Sequence, residues 1–129
     1  MTDSSYSASL APEAGLATKR KRVLVADDQP DVLHAIALLL KLEGFESQTV
    51  MHPAAVIEAL KSGEFDLLIT DLNYTLDTTS GSEGLDLISS IRKINAAVPV
   101  LVITAWGTIE LAVEALQRGA SDFIQKPWT

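Results

Sequence analysis

The sequence contains no cysteine, which removes a disulfide framework, a zinc–thiolate site and a thiol nucleophile from consideration. It also lacks a long hydrophobic run. The longest unbroken apolar stretch, residues 35–40, has six residues, against the ~20 that a membrane-spanning helix needs. Positive charge is scarce: 10 Lys and Arg face 17 Asp and Glu, for a net charge of −7. That balance argues against broad electrostatic attachment to nucleic acid, which wants a basic face. Apolar content, by contrast, is ample. With 47% hydrophobic residues among 129, the chain can build one domain with a real core, and wholesale disorder is excluded. The expectation is a soluble, cytoplasmic module.

Residues 1–21 read as a disordered tail. They are rich in Ser and Ala, lack sustained periodicity, and lead into the basic run Lys19-Arg20-Lys21-Arg22. A secretory signal places its positive charges before a longer apolar stretch, and here the order is reversed. The run admits a nucleic-acid or nuclear-import reading; a solvated flank to the first strand is the simpler one. Outside that run, 6 basic residues face 17 acidic ones.

From Arg22 the chain alternates regularly. Val23-Leu24-Val25-Ala26 is a short, nearly continuous apolar run, as expected of a strand buried on both faces. Pro30 suits a first helical position, and the helix it opens places Val32, Ile36, Leu39 and Leu40 on one face before Gly44 stops it. A second strand fits residues 45–50. Pro53 opens a helix with Val56, Ile57 and Leu60 on one side and Gly63 at its end. Residues 66–70 read as a third strand, followed by a polar loop over 71–83 and a helix from about Gly84 that carries Leu85, Ile88 and Ile91. Residues 98–104 form a strongly apolar fourth strand. The helix over 108–118 places Ile109, Ala112, Val113 and Leu116 at i, i+3, i+4 and i+7, Gly119 closes it, and residues 121–125 make a short fifth strand. Strands separated by helices imply right-handed crossovers and a parallel sheet covered on both sides. The fold class is doubly wound α/β.

In open parallel sheets, ligands bind outside the carboxyl ends of the strands. There, strand one ends in Asp27-Asp28, strand three in Asp71, strand four in Thr104-Ala105, and strand five runs into Lys126-Pro127. Acidic residues often cap helices, which alone would explain Asp28; it does not explain all five strand-end matches. Like charges ~4 Å apart repel by about 4 kcal/mol at an effective dielectric near 20. Such a cluster raises its own pKa values or recruits a cation. Oxygen ligands suit Mg²⁺ better than zinc, and one Lys126 ammonium does not neutralise three carboxylates. His34 and His52 lie at no strand end and read as surface residues.

On Asp27-Asp28, Asp71, Thr104-Ala105, Lys126-Pro127, and the stretch from Val100 through Gly119-Ala120-Ser121-Asp122-Phe123, the chain resembles a response-regulator receiver domain over about residues 22–127. It is most similar to receivers that precede transcriptional activators. The resemblance implies a flavodoxin-like five-stranded sheet of order 2-1-3-4-5. It implies Asp71 as phosphoryl acceptor from the phosphohistidine of a sensor histidine kinase. It further implies Mg²⁺ held by Asp27, Asp28, Asp71 and the backbone carbonyl of Asn73. Lys126 would pair with the phosphoryl group and Thr104 would donate its hydroxyl, with Ala105 leaving room. Thr104 and Phe123 would form the switch, Asn73 and Trp106 would influence water access during self-catalysed dephosphorylation, and the Lys126-Pro127 bond would be cis.

Two features depart from the family pattern. The connection after Asp71, residues 73–83, is longer than usual and lacks the common Met-Pro. The sequence also stops at Thr129, where the family's fifth helix should begin, so residues 22–129 read as a receiver truncated before that helix and before a covalently linked, DNA-binding output domain. Apolar surface around strands one and five would then favour self-association as a homodimer, and Trp128 would lose packing partners. The fragment itself is not expected to bind nucleic acid. The main rival is a pseudo-receiver acting as a phosphorylation-independent interaction module. A haloacid-dehalogenase-type phosphatase would need two Asp one residue apart after strand one, and a flavin binder would need a phosphate-cradling loop where Asp27-Asp28-Gln29-Pro30 stands.

Overall fold

Alternate residues of each inner strand belong to different cores, and that division organises the molecule. The computed structural model describes residues 20–73, 82–105 and 108–126. Its elements are β1 (Arg22–Ala26), α1 (Pro30–Leu42), β2 (Glu46–Val50), α2 (Pro53–Ser62), β3 (Leu67–Thr70), α3 (Ser82–Ile94), β4 (Val100–Thr104), α4 (Ile109–Arg118) and β5 (Asp122–Gln125). The strands form one sheet in the order β2-β1-β3-β4-β5, every pair parallel. Leu24, Ala26, Leu68, Val100 and Val102 face α2, α3 and α4, joining Val56, Leu85, Ile88, Ile91 and Ala115 in the larger cluster. Val23, Val25, Ile69 and Ile103 face the other way and pack with Val32, Leu33 and Ile36 of α1. Because both faces are covered, the inner strands need apolar residues at consecutive positions rather than alternation.

Element ends depart from the sequence reading by one or two residues. Strand β4 starts at Val100 rather than 98, because Pro99 has no N–H to give the ladder; its carbonyl accepts from Leu68 N–H at 2.9 Å. Thr108 is the N-cap of α4, its Oγ1 accepting from Leu111 N–H.

Two predicted helix faces need correction. On α1, Leu33 is buried in place of Leu39, which is 62% exposed. The helix packs over β1 and β2 through Val32, Leu33, Ile36 and Leu40, which leaves Leu39 outside the contact. On α4, Ile109 is 82% exposed, and Val113 and Leu116 are also exposed. That helix instead turns Ala115 and Leu111 inward, since the small Ala115 allows close approach to its neighbours. His34 and His52 are exposed, as expected.

The amino-terminal rim of the sheet is tied by arginines. Arg22 N–H donates to Asp66 Oδ2 at 2.8 Å, and its guanidinium donates to the Glu64 carbonyl while lying 4.6 Å from the Phe65 ring centre. Arg92 donates to the carbonyls of Gly119 (2.6 and 3.0 Å), Val98 (2.6 Å) and Asn95 (3.3 Å). Gly119 holds φ at +119°, the left-handed conformation that closes helices. The predicted tail falls mostly on residues 1–19, outside the described residues.

Candidate phosphoacceptor site

The parallel register delivers the ends of four strands to one rim. Asp71 N–H donates to the Ala26 carbonyl at 3.1 Å, which sets Asp71 beside Asp27, and Lys126 N–H donates to the Thr104 carbonyl at 2.8 Å, which joins the ends of β4 and β5. Asp27, Asp71, Asn73 and Thr104 are all buried, and Asp28 is half-buried. Carboxylate oxygens of Asp27, Asp28 and Asp71 lie within 4.8 Å of one another.

Lys126 sits at the centre. Its Nζ donates to Asp27 Oδ2 at 2.9 Å and to Asp71 Oδ2 at 3.0 Å, and the side chain is only 4% exposed. The remaining oxygens are also engaged: Asp27 Oδ1 accepts from Gln29 N–H and Asp71 Oδ1 from Asn73 N–H, both at 3.0 Å. Burial pushes the Asp27 carboxyl above its ordinary value, ahead of the hydrogen bonds from Lys126 and Gln29 that pull it down. Burial also works against the Lys126 ammonium, but its hydrogen bonds to Asp27 and Asp71 prevail and hold its pKa up. One ammonium against three carboxylates leaves a negative surplus in a poorly solvated place. An all-oxygen donor set with that surplus fits a hard divalent cation such as Mg²⁺.

Comparison with known proteins places this geometry. Residues 23–129 match the family described as the response regulator receiver domain. The chain belongs to that family. The receiver domain is 33% identical over 108 residues to the response regulator protein PilR of Pseudomonas aeruginosa, covering 84% of this chain and 23% of PilR. It is likewise 33% identical over 109 residues to the transcriptional regulatory protein GlrR of Escherichia coli, again covering 84% of this chain and 23% of that protein. Among solved structures it resembles the receiver domain of NtrX from Brucella abortus, with 34% identity, a TM-score of 0.73, and coverage of 83% of this chain and 87% of that one. The chain thus spans about a quarter of these curated relatives. It is a receiver domain of two-component response regulators related to transcriptional activators.

Within the receiver domain, Asp27, Asp28, Asp71, Thr104 and Lys126 come together as the strand ends predict, with Asn73, which the family resemblance added, beside them. Ala105 is exposed at the rim. Phe123 is not at the acidic cluster; it is half-buried against the larger core beneath it. Trp106, the Lys126-Pro127 bond and most of the long connection after Asp71 (residues 74–81) lie outside the described residues. Among those described, no helix is long and apolar enough to cross a membrane.

Two contributions escaped sequence reasoning. The Asn73 side-chain amide donates to Thr104 Oγ1 at 2.8 Å, whereas the family resemblance pointed to its backbone carbonyl and to water access. Gly84 packs on the residue after Asp71: a Cβ there would overlap the Leu72 Cα and carbonyl oxygen. In the sequence Gly84 stands only as the approximate start of a helix, whereas α3 begins at Ser82; a glycine within a helix often marks close approach.

Proposed function

We propose that this receiver domain accepts a phosphoryl group on Asp71 from the phosphohistidine of a sensor histidine kinase. The observation that carries the reading is Lys126 Nζ bonded to both Asp27 and Asp71 inside a cluster of three carboxylates. In the transfer, a carboxylate oxygen of Asp71 bonds to phosphorus as the P–N bond breaks, its electron pair staying on the imidazole. Asp27, Asp28, Asp71 and the backbone carbonyl of Asn73 would hold Mg²⁺, which when bound neutralises charge on the transferring oxygens.

The chain's own residues do the rest. Lys126, already 3.0 Å from Asp71, turns its hydrogen bond to a phosphoryl oxygen. Thr104 donates its hydroxyl to another, and the exposed Ala105 leaves the approach open. Movement at the end of β4 passes to Phe123 on the neighbouring strand, biasing two pre-existing states. Asn73 and Trp106 govern water access to the acyl phosphate, whose hydrolysis resets the switch. The output is a linked, transcriptional domain, and the setting is the cytoplasm. The receiver unit begins at Arg22, preceded by the tail.

The test is incubation with acetyl phosphate and Mg²⁺, followed by mass spectrometry. A hydroxylamine-sensitive adduct that disappears in Asp71→Asn supports the reading. Undiminished labelling of that variant would move the acceptor elsewhere, and a folded chain that never labels would favour a phosphorylation-independent interaction module.

A further inference from the structure

Four residues of the site close a ring of hydrogen bonds. Asn73 N–H donates to Asp71 Oδ1 (3.0 Å), Asn73 Nδ2 donates to Thr104 Oγ1 (2.8 Å), Lys126 N–H donates to the Thr104 carbonyl (2.8 Å), and Lys126 Nζ returns to Asp71 Oδ2 (3.0 Å). Thr104 is fully buried and Asn73 is 6% exposed, so neither side chain has bulk water to fall back on. Asn73 reaches both the acceptor carboxylate, through its backbone, and the switch hydroxyl, through its side chain.

From this ring we infer that Asn73 is a positioning residue whose side-chain amide holds the Thr104 hydroxyl at the site before any phosphoryl group arrives; the inference rests on the phosphoacceptor reading above. The direction of the bond matters. The amide occupies an acceptor lone pair of Oγ1, and a hydroxyl has one proton besides two such pairs, so the clasp itself takes up none of the donor capacity that Thr104 would turn to a phosphoryl oxygen. Donors that already stand where charge will develop need no reorganisation at the moment of transfer. The acceptor end of the same amide, Oδ1, is buried with no hydrogen-bond partner among the described protein groups.

The test combines nuclear magnetic resonance with a double-mutant cycle. In EDTA, with no cation, the Asn73 side-chain amide resonances should shift in Thr104→Val, which loses the hydroxyl, and stay near wild type in Thr104→Ser, which keeps it. In labelling by acetyl phosphate with Mg²⁺, Asn73→Ala should slow the reaction about fivefold, one hydrogen bond's worth. In the Thr104→Val background the same change should do nothing further. Unmoved Asn73 resonances in Thr104→Val, or slowing that multiplies independently of Thr104, would overturn the clasp while leaving Asp71 as acceptor. If Asn73→Ala does not fold, the two Thr104 variants decide the matter by resonance alone. A wild type that never labels sinks the phosphoacceptor reading instead, and the resonances still report on the clasp.

Discussion

Gly84, in the first turn of α3, lies directly on the backbone of Leu72, the residue after the proposed acceptor. A Cβ at that position would come 2.7 Å from the Leu72 carbonyl carbon and overlap its Cα and oxygen. The two backbones are further joined by Gly84 N–H donating to the Leu72 carbonyl at 3.1 Å. Backbone cannot swing aside as a side chain does, so Gly84→Ala forces α3 away from the turn. We expect a loss of about 1–3 kcal/mol in urea unfolding together with slower labelling by acetyl phosphate, because Asp71 moves with Leu72. A variant as stable and as fast as wild type would show that the contact is slack.

Asp27 makes stability depend on pH in the direction opposite to most carboxylates. Burial raises its pKa in the folded chain, so from the unfolded value of about 4 up to the raised one the folded state keeps a proton the unfolded state has released. Folded chains binding more protons lose stability as pH rises. Asp27→Asn removes this term while keeping an acceptor for Lys126. In EDTA its stability relative to wild type should therefore increase from about pH 4 towards neutrality, with the change complete above the raised pKa. A difference that stays flat across that range, followed by urea melts, would contradict the assignment.

Cation affinity should follow the number of carboxylates. Asp28 is half-buried and contributes an oxygen to the cluster, in which Lys126 pairs with Asp27 and Asp71. Asp28→Asn should weaken Mg²⁺ binding about tenfold or more by calorimetry. Unchanged affinity would place the ion away from Asp28.

Arg92 should matter for stability and not for chemistry. Its guanidinium satisfies the carbonyls of Gly119, Val98 and Asn95, at the rim away from Asp71. Arg92→Met should cost about 2 kcal/mol with labelling of the folded fraction unaltered. Arg92→Lys should recover only part of it, because an ammonium cannot reproduce the planar fork. Full rescue by Lys would mean that charge alone holds this corner.

Much of this was legible in the residues. Three apolar runs, at β1, β3 and β4, and two shorter strand-like stretches, all separated by helical spacing, sufficed for a parallel sheet, and the rule that ligands gather at strand ends led to Asp27, Asp28, Asp71, Thr104 and Lys126. The failures are equally physical. Periodicity locates an apolar stripe without saying what lies opposite it: α4 carries apolar residues on more than one side, and Ala115, not Ile109 or Val113, fits the tight space against the core. On α1 the stripe is wider than the surface it covers, which leaves Leu39 outside. The Asn73–Thr104 bond joins residues 31 positions apart, and no local pattern encodes which polar side chain will meet another across two strands.

The placement of Arg22 and Arg92 at one rim and of the carboxylates at the other gives the molecule a division of labour along its strands. Random libraries of this chain sorted for heat resistance and for phosphate labelling should return hits from opposite poles, with Gly84 among the few positions scoring in both. A designer could then harden one pole freely without retuning the signal carried by the other.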